Sequence, residues 1–113
     1  GLKIAAHLPV TYEAPALTQL ALVRIISEGL TNALRHQGPG THVEVELALA
    51  DAARITLTST NPSPTPSEVT GSGVGLIGVE ERAHALGGRL ECSGDATKFI
   101  LRAELPLWKE SRA

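Results

Sequence analysis

Apolar and polar positions recur along this chain with two different periods, and the places where the period changes divide it into elements. Residues 17–36, LTQLALVRIISEGLTNALRH, form the longest helical run. At about 100° per residue, Leu22, Val23, Ile26, Leu30, Ala33 and Leu34 fall in one apolar arc, predicted to pack against a sheet. Glu28, Asn32 and His36 stand at i, i+4 and i+8 with Arg35 beside them, and are predicted to share the opposite face. Taken alone, such a polar stripe is an ordinary solvated surface. Pro15 suits a first helical turn, and Gly38-Pro39-Gly40 forbids continuation at the other end.

Elsewhere the period is two. Residues 41–49 set Val43, Val45, Leu47 and Leu49 against His42, Glu44, Glu46 and Ala48, and residues 54–60 set Ile55 and Leu57 against threonines. With a turn at residues 50–52 they predict an antiparallel hairpin. Residues 2–8 are a short edge or first strand, ended by Pro9. Helical spacing returns at Leu76, Val79, Ala83 and Leu86, predicting a second helix from residue 75 or 76 to 86 before Gly87-Gly88 stops it. Residues 89–93 and 98–107 read as two more strands, the latter alternating Phe99, Leu101, Ala103 and Leu105. The order β-α-β-β-loop-α-β-β predicts one domain over residues 1–108 with a frayed tail at 109–113. Its class is α+β: a two-layer sandwich whose mixed, mostly antiparallel sheet carries both helices on one face.

Composition narrows what such a domain can do. A net charge of −2 and a pI near 6.1 supply no basic footprint for phosphate neutralisation, so nucleic acid is not an expected partner. Tyr12, Phe99 and Trp108 are the only aromatic residues, too few for a base-stacking platform or a membrane belt. No apolar run approaches the roughly 20 residues of a spanning helix, so no membrane contact is expected of this stretch. The single Cys92 fits a reducing, cytoplasmic setting. Histidines at 7, 36, 42 and 84 have no zinc spacing.

Residues 61–72, NPSPTPSEVTGS, are a solvated loop by composition. Gly71, Gly73 and Gly75 then alternate directly before the second helix, where backbone N–H groups and the helix N-terminus favour an anion such as phosphate. A mere flexible loop end is the bland alternative. A P-loop would need a lysine after the glycines, and none is there. Residues 73–78, GVGLIG, match the dinucleotide pattern G-x-G-x-x-G, with Glu91 and Asp95 as ribose candidates. That fingerprint belongs directly after a buried strand of a parallel β-α-β unit, a context a proline-rich loop does not provide.

Taken together, ISEGLTNALRH, GSGVGL and GDATKFILRAELPL resemble the ATP-binding domain shared by sensor histidine kinases, gyrase, Hsp90 and MutL proteins, the Bergerat fold, over nearly the whole chain. GLIGVEERAHALGG looks most like the GLxGMxERxxxxGG stretch of histidine kinases of the nitrate-sensor and desaturase-sensor type. The resemblance implies ATP and Mg²⁺ as ligands. Asn32 would ligand Mg²⁺ bridging the phosphates, a role suited to a hard amide oxygen, and Glu28 would be the catalytic group that orients or deprotonates a neighbour. Arg35 and His36 could offset phosphate charge. Gly71, Gly73, Val74, Gly75 and Leu76 would wrap the phosphates, residues 62–70 would form a mobile lid, and Thr97 would lie near the adenine. Asn61 stands where the family usually carries the adenine-reading aspartate of Asp-x-Gly-x-Gly. Its carbonyl oxygen can accept from the adenine amino group, but as a neutral acceptor it should hold the base more weakly.

The implied function is donation of the ATP γ-phosphate to a histidine on an upstream dimerisation helix, in a homodimeric parent that signals to a response regulator. The domain would be cytoplasmic, whether or not the parent is anchored in a membrane. His7 falls in a predicted strand and no phosphoacceptor helix is present in these residues, so the chain alone is not expected to autophosphorylate. The alternatives are a serine kinase of the anti-sigma type and a degenerate nucleotide-sensing module.

Overall fold

A computed structural model describes residues 3–8, 14–65 and 74–107. The elements are β1 (Lys3–His7), α1 (Ala16–Gln37), β2 (His42–Leu49), β3 (Ala52–Thr60), α2 (Val74–Ala85), β4 (Arg89–Gly94) and β5 (Lys98–Pro106). They follow the predicted order, each within two residues of the predicted bounds. The five strands form one sheet in the order β1-β2-β3-β5-β4. β1 lies parallel to β2, with α1 as the crossover between them, and every other pair is antiparallel. Residues 108–113, including the tail, lie outside the described residues.

Strand alternation places the core. Val43, Val45 and Leu47 of β2, Ile55 and Leu57 of β3, and Leu101, Ala103 and Leu105 of β5 are buried under the helices. Register sets Leu57 opposite Val45 on one side and Leu101 on the other, so its side chain stands mid-sheet. The opposite sheet face carries Glu44, Glu46, Arg54, Arg102 and Glu104. There Arg54 Nη1 meets Asp51 Oδ1 at 3.0 Å, and Arg89 Nη2 meets Glu104 Oε1 at 3.4 Å. Exposed pairs of this kind contribute little to stability, and the core supplies most of it.

α1 turns a different face to the sheet from the predicted arc. Its buried residues are Thr18, Ala21, Leu22, Ile25, Gly29, Asn32, Ala33 and Gln37. Val23 and Leu34 are 60% and 48% exposed, and Ile26 and Leu30 only partly buried. The cause is close approach. A Cβ placed on Gly29 would stand 2.6 Å from Leu57 Cδ1, so only small residues fit where the helix crosses the middle of the sheet. Asn32, predicted for the solvated side, is buried at 7% exposure as a result.

The helix ends on Gly38 at φ +81°, a left-handed conformation that suits glycine. The Gly38 N–H donates to Leu34 O at 3.1 Å, and Thr41 Oγ1 donates to Gly38 O at 2.6 Å. α2 presents Val79 and Ala83 to the core, with Leu76 and Leu86 partly buried beside it. No helix among the described residues is long and apolar enough to cross a membrane.

Candidate functional site

Between the last two turns of α1, the end of β3, the β4–β5 turn and the start of α2 lies a cavity of about 400 Å³. α1 contributes Asn32, Ala33, His36 and Gln37, whose i, i+1, i+4 and i+5 spacing aligns them along one flank. Ala33, Leu76 of α2, Ala96 of the turn and Phe99 of β5 make its apolar walls, while Ser59 and Asp95 complete the lining. An apolar slot with a few fixed polar groups suits a flat heterocycle better than a chain of charges.

The turn that forms one rim is fixed by Asp95. Its Oδ1 accepts from Thr97 N at 2.9 Å, Thr97 Oγ1 at 2.7 Å and Lys98 N at 3.2 Å. These bonds, that of the Thr97 hydroxyl foremost, hold the Asp95 carboxyl below the usual carboxylate range. The Thr97 hydroxyl is thereby engaged with Asp95, and its carbonyl accepts from Asn61 N at 2.9 Å.

Gln37 is the residue that sequence reasoning missed. It is 1% exposed, and its Nε2 donates to Ser59 O at 3.1 Å and Ala96 O at 3.0 Å. Both partners are acceptors, so the orientation of the carboxamide is settled by its neighbours. Gln37 Oε1 and the hydroxyl of Ser59 are left buried without a partner among the described residues. An unpaired buried polar group costs about 1–3 kcal/mol, so these two atoms are a local cost within the folded domain. The available signal was position: Gln37 extends the Ala33 face by one turn, directly before the helix-stopping glycine.

Asn61 is placed differently from the expectation. It is buried, its Nδ2 lies 2.9 Å from Gln37 O, 3.2 Å from Pro39 O and 3.1 Å from Thr41 Oγ1, and its Oδ1 accepts from Ser63 N at 2.9 Å. The side chain ties the α1–β2 connection to the end of β3 and is not among the cavity lining. The reason is the donor that an amide has and a carboxylate lacks, because two backbone carbonyls converge on it. Asn61→Asp would set a carboxylate oxygen against those carbonyls. It is expected to lower stability by about 1–3 kcal/mol in urea melts at pH 7. Those carbonyls raise the folded-state pKa of the introduced carboxyl, so it takes up a proton as the pH falls and regains a donor. The deficit should therefore shrink at pH 4.

Of the predicted site residues, the fold therefore brings Asn32, His36 and Leu76 together on one cavity. Glu28 is partly buried one turn before Asn32, and Arg35 partly buried beside His36, both outside the lining. Val74 and Gly75 begin α2. Gly71, Gly73 and residues 66–70 of the predicted lid lie outside the described residues. Among the described residues no cluster of three or more His, Cys, Asp or Glu could hold a metal by itself.

A mixed five-stranded sheet, two helices on one face and a largely apolar cavity beside a buried carboxamide define a two-layer α+β sandwich with a cavity of small-molecule size. Residues 18–108 match the family described as histidine kinase-, DNA gyrase B- and HSP90-like ATPases, and the chain belongs to that family. Its fold resembles the histidine kinase domain of a blue-light activated histidine kinase from Erythrobacter litoralis EL346, with a TM-score of 0.73, 22% identity and coverage of 94% of this chain and 55% of that one. It also resembles the mycobacterial sensor histidine kinase MprB, with a TM-score of 0.70, 21% identity and coverage of 93% and 81%. A histidine kinase from Burkholderia phymatum STM815 gives a TM-score of 0.69 at 16% identity, covering 96% and 60%. The chain thus spans little more than half of the first of these, and at such identities the likeness is one of fold. No curated protein matches.

Proposed function

We propose that this domain binds Mg-ATP and donates the γ-phosphate to a histidine on a dimerisation helix of its parent protein. The observation that carries this reading is Asn32, a carboxamide held at 7% exposure on the wall of an apolar cavity in a family of ATPases. A hard amide oxygen suits Mg²⁺, and with no protein cluster among the described residues the phosphates and water would complete its shell. The bound ion would supply charge neutralisation for the phosphates. His36 on the cavity and Arg35 beside it would add cationic or hydrogen-bonding groups on that side. Glu28, one turn before Asn32, would orient or deprotonate its neighbour. Gly71, Gly73, Val74, Gly75 and Leu76 would enclose the phosphates, and Thr97 would act at the adenine end by ordering the turn.

The parent would be a cytoplasmic-facing homodimer of the nitrate-sensor type, on the strength of GLIGVEERAHALGG, with a response regulator as its signalling partner. The same stretch goes against an anti-sigma serine kinase. One observation favours a second reading, a degenerate nucleotide-sensing module: Asn61 replaces the usual aspartate and spends its side chain on the fold. Phosphoryl transfer by the parent protein would exclude it.

Calorimetric titration with ADP and a non-hydrolysable ATP analogue, each with and without Mg²⁺, tests the proposal, with NADH as the control. Adenine nucleotide binding that Mg²⁺ strengthens, with NADH ignored, is the expected result. Failure of both adenine nucleotides to bind would overturn it, and NADH binding would restore the dinucleotide reading.

A further inference from the structure

We infer that Gln37 is a positioning residue for nucleotide binding: its Nε2 fastens the β4–β5 turn to the C-terminal end of α1 and so sets the width of the cavity between them. The inference rests on the reading that an adenine nucleotide occupies the cavity. Two walls flank that space. Asn32, Ala33 and His36 belong to α1, whereas Asp95, Ala96 and Phe99 belong to the turn and the start of β5. The turn is stiff within itself. Gly94, at φ +108°, folds the chain so closely that a Cβ there would run into Lys98 O. Asp95 N donates to Lys98 O at 2.8 Å, and Asp95 Oδ1 accepts from Thr97 N and Lys98 N. Such a unit moves as one piece, so the place of this wall depends on what anchors it to the rest of the domain.

On the sheet side the anchor is backbone: Lys98 pairs with Thr60, and Asn61 N donates to Thr97 O at 2.9 Å. Toward α1 it is the Gln37 carboxamide. Nε2 donates to Ala96 O at 3.0 Å and to Ser59 O at 3.1 Å, so one group joins the helix, the turn and the end of β3. Gln37 is 1% exposed, and no water stands ready to take over these bonds. The helix end that carries it is held in its turn, because Asn61 Nδ2 and Thr65 N both donate to Gln37 O at 2.9 Å. Without the carboxamide donor the turn can recede and a bound base loses contact with that wall. Asn32 and His36 stand on the α1 wall, so affinity falls while the Mg²⁺ effect stays.

The experiment replaces the amide by a group that donates only when protonated. Gln37→Glu and wild-type chains are titrated with ADP, with and without Mg²⁺, at pH 8 and pH 5.5. At pH 8 the introduced carboxylate has no proton for either carbonyl, and the variant is expected to bind ADP about tenfold more weakly than wild type with the Mg²⁺ factor unchanged. Burial and the two carbonyls raise the pKa of this carboxyl, so acidification protonates it and restores one of the two bonds. The ratio should then close to about threefold at pH 5.5. His36 and Asp95, the other titratable groups on the lining, are present in both proteins and drop out of the ratio. A merely structural role would lower the melting temperature and leave the affinity of the folded protein alone, so the titrations run well below the melt at each pH. Equal affinity at pH 8, or a deficit that acid does not shrink, would overturn the role of Gln37 and leave the nucleotide reading standing. Absence of ADP binding to the wild type would overturn both. If the variant does not fold, the unaltered protein decides. Binding that needs the anchor closed means that saturating ADP slows hydrogen exchange at Gln37 Nε2 and not at Gln19 Nε2, which is bonded to Ala14 O on the surface. Exchange at Gln37 unchanged by ADP would overturn the inference.

Discussion

Asn32→Ala is expected to erase the Mg²⁺ dependence of nucleotide binding and to lower phosphoryl transfer by the parent protein by about two orders of magnitude or more. The expectation comes from where the carboxamide sits. It projects from the buried face of α1 onto the cavity, on a helix that crosses the sheet at close range and so cannot shift to bring in a substitute. Alanine is a better helix former than asparagine, so the fold should survive and the melting temperature should stay within a few degrees. Loss of function without loss of fold separates a metal-binding role from a packing role. Asn32→Asp keeps an oxygen ligand and should retain part of the Mg²⁺ effect. Calorimetry on the variants with and without Mg²⁺ decides the matter: an Ala variant that still binds ADP with undiminished Mg²⁺ dependence would show that the assigned role is wrong.

The second large effect lies in the core. Leu57→Ala should cost about 3–4 kcal/mol, the range for a buried leucine whose surroundings collapse only partly. Against a total of about 5–15 kcal/mol for a domain of this kind, the urea midpoint should fall steeply. The pairing with Gly29 makes the prediction sharper. In the wild-type protein Gly29→Ala gains about 1 kcal/mol of helix propensity but drives a methyl to 2.6 Å from Leu57 Cδ1. Leu57 is fully buried between β2 and β5 and has nowhere to go, so the net effect should be destabilising, by about 1–3 kcal/mol of overpacking. In the Leu57→Ala background the obstruction is gone, and the same Gly29→Ala change should stabilise. A reversal of sign across the double-mutant cycle is the expected outcome; additive effects would mean that the helix does not rest on this contact.

The strands were legible because a one-sided sheet writes its burial into every second residue, and Val43, Val45 and Leu47 or Leu101, Ala103 and Leu105 leave no other reading. α1 was legible as a helix and not in its orientation. Hydrophobicity favoured the arc that includes Val23 and Leu34, whereas the sheet selected the face with Gly29, Ala21 and Ala33, where small size outweighs apolar area. Asn32 and His36 could be singled out from spacing and resemblance, since both belong to one helix. Asn61 could be matched by position, but its role turned on whether its neighbours donate or accept, and those neighbours come from the α1–β2 connection. Gln37 was invisible for the same reason. Its meaning depends on the convergence of Ser59 O from β3 and Ala96 O from the β4–β5 turn, which no local pattern announces.

The pairing of β3 with β5 sets Thr60 beside Lys98 and so closes a long loop that carries residues 61–73, α2 and β4. The entropy of closing such a loop grows only with the logarithm of its length, and doubling it would cost about 0.6 kcal/mol. Loop closure therefore exerts almost no thermodynamic pressure on how long residues 66–73 are. What constrains the segment is its anchorage, where Thr65 N donates to Gln37 O at 2.9 Å and Asn61 grips the end of α1. A domain built this way can lengthen or shorten the stretch before its glycines at little cost to folding, while the half of the cavity held by α1 and the sheet does not depend on that length.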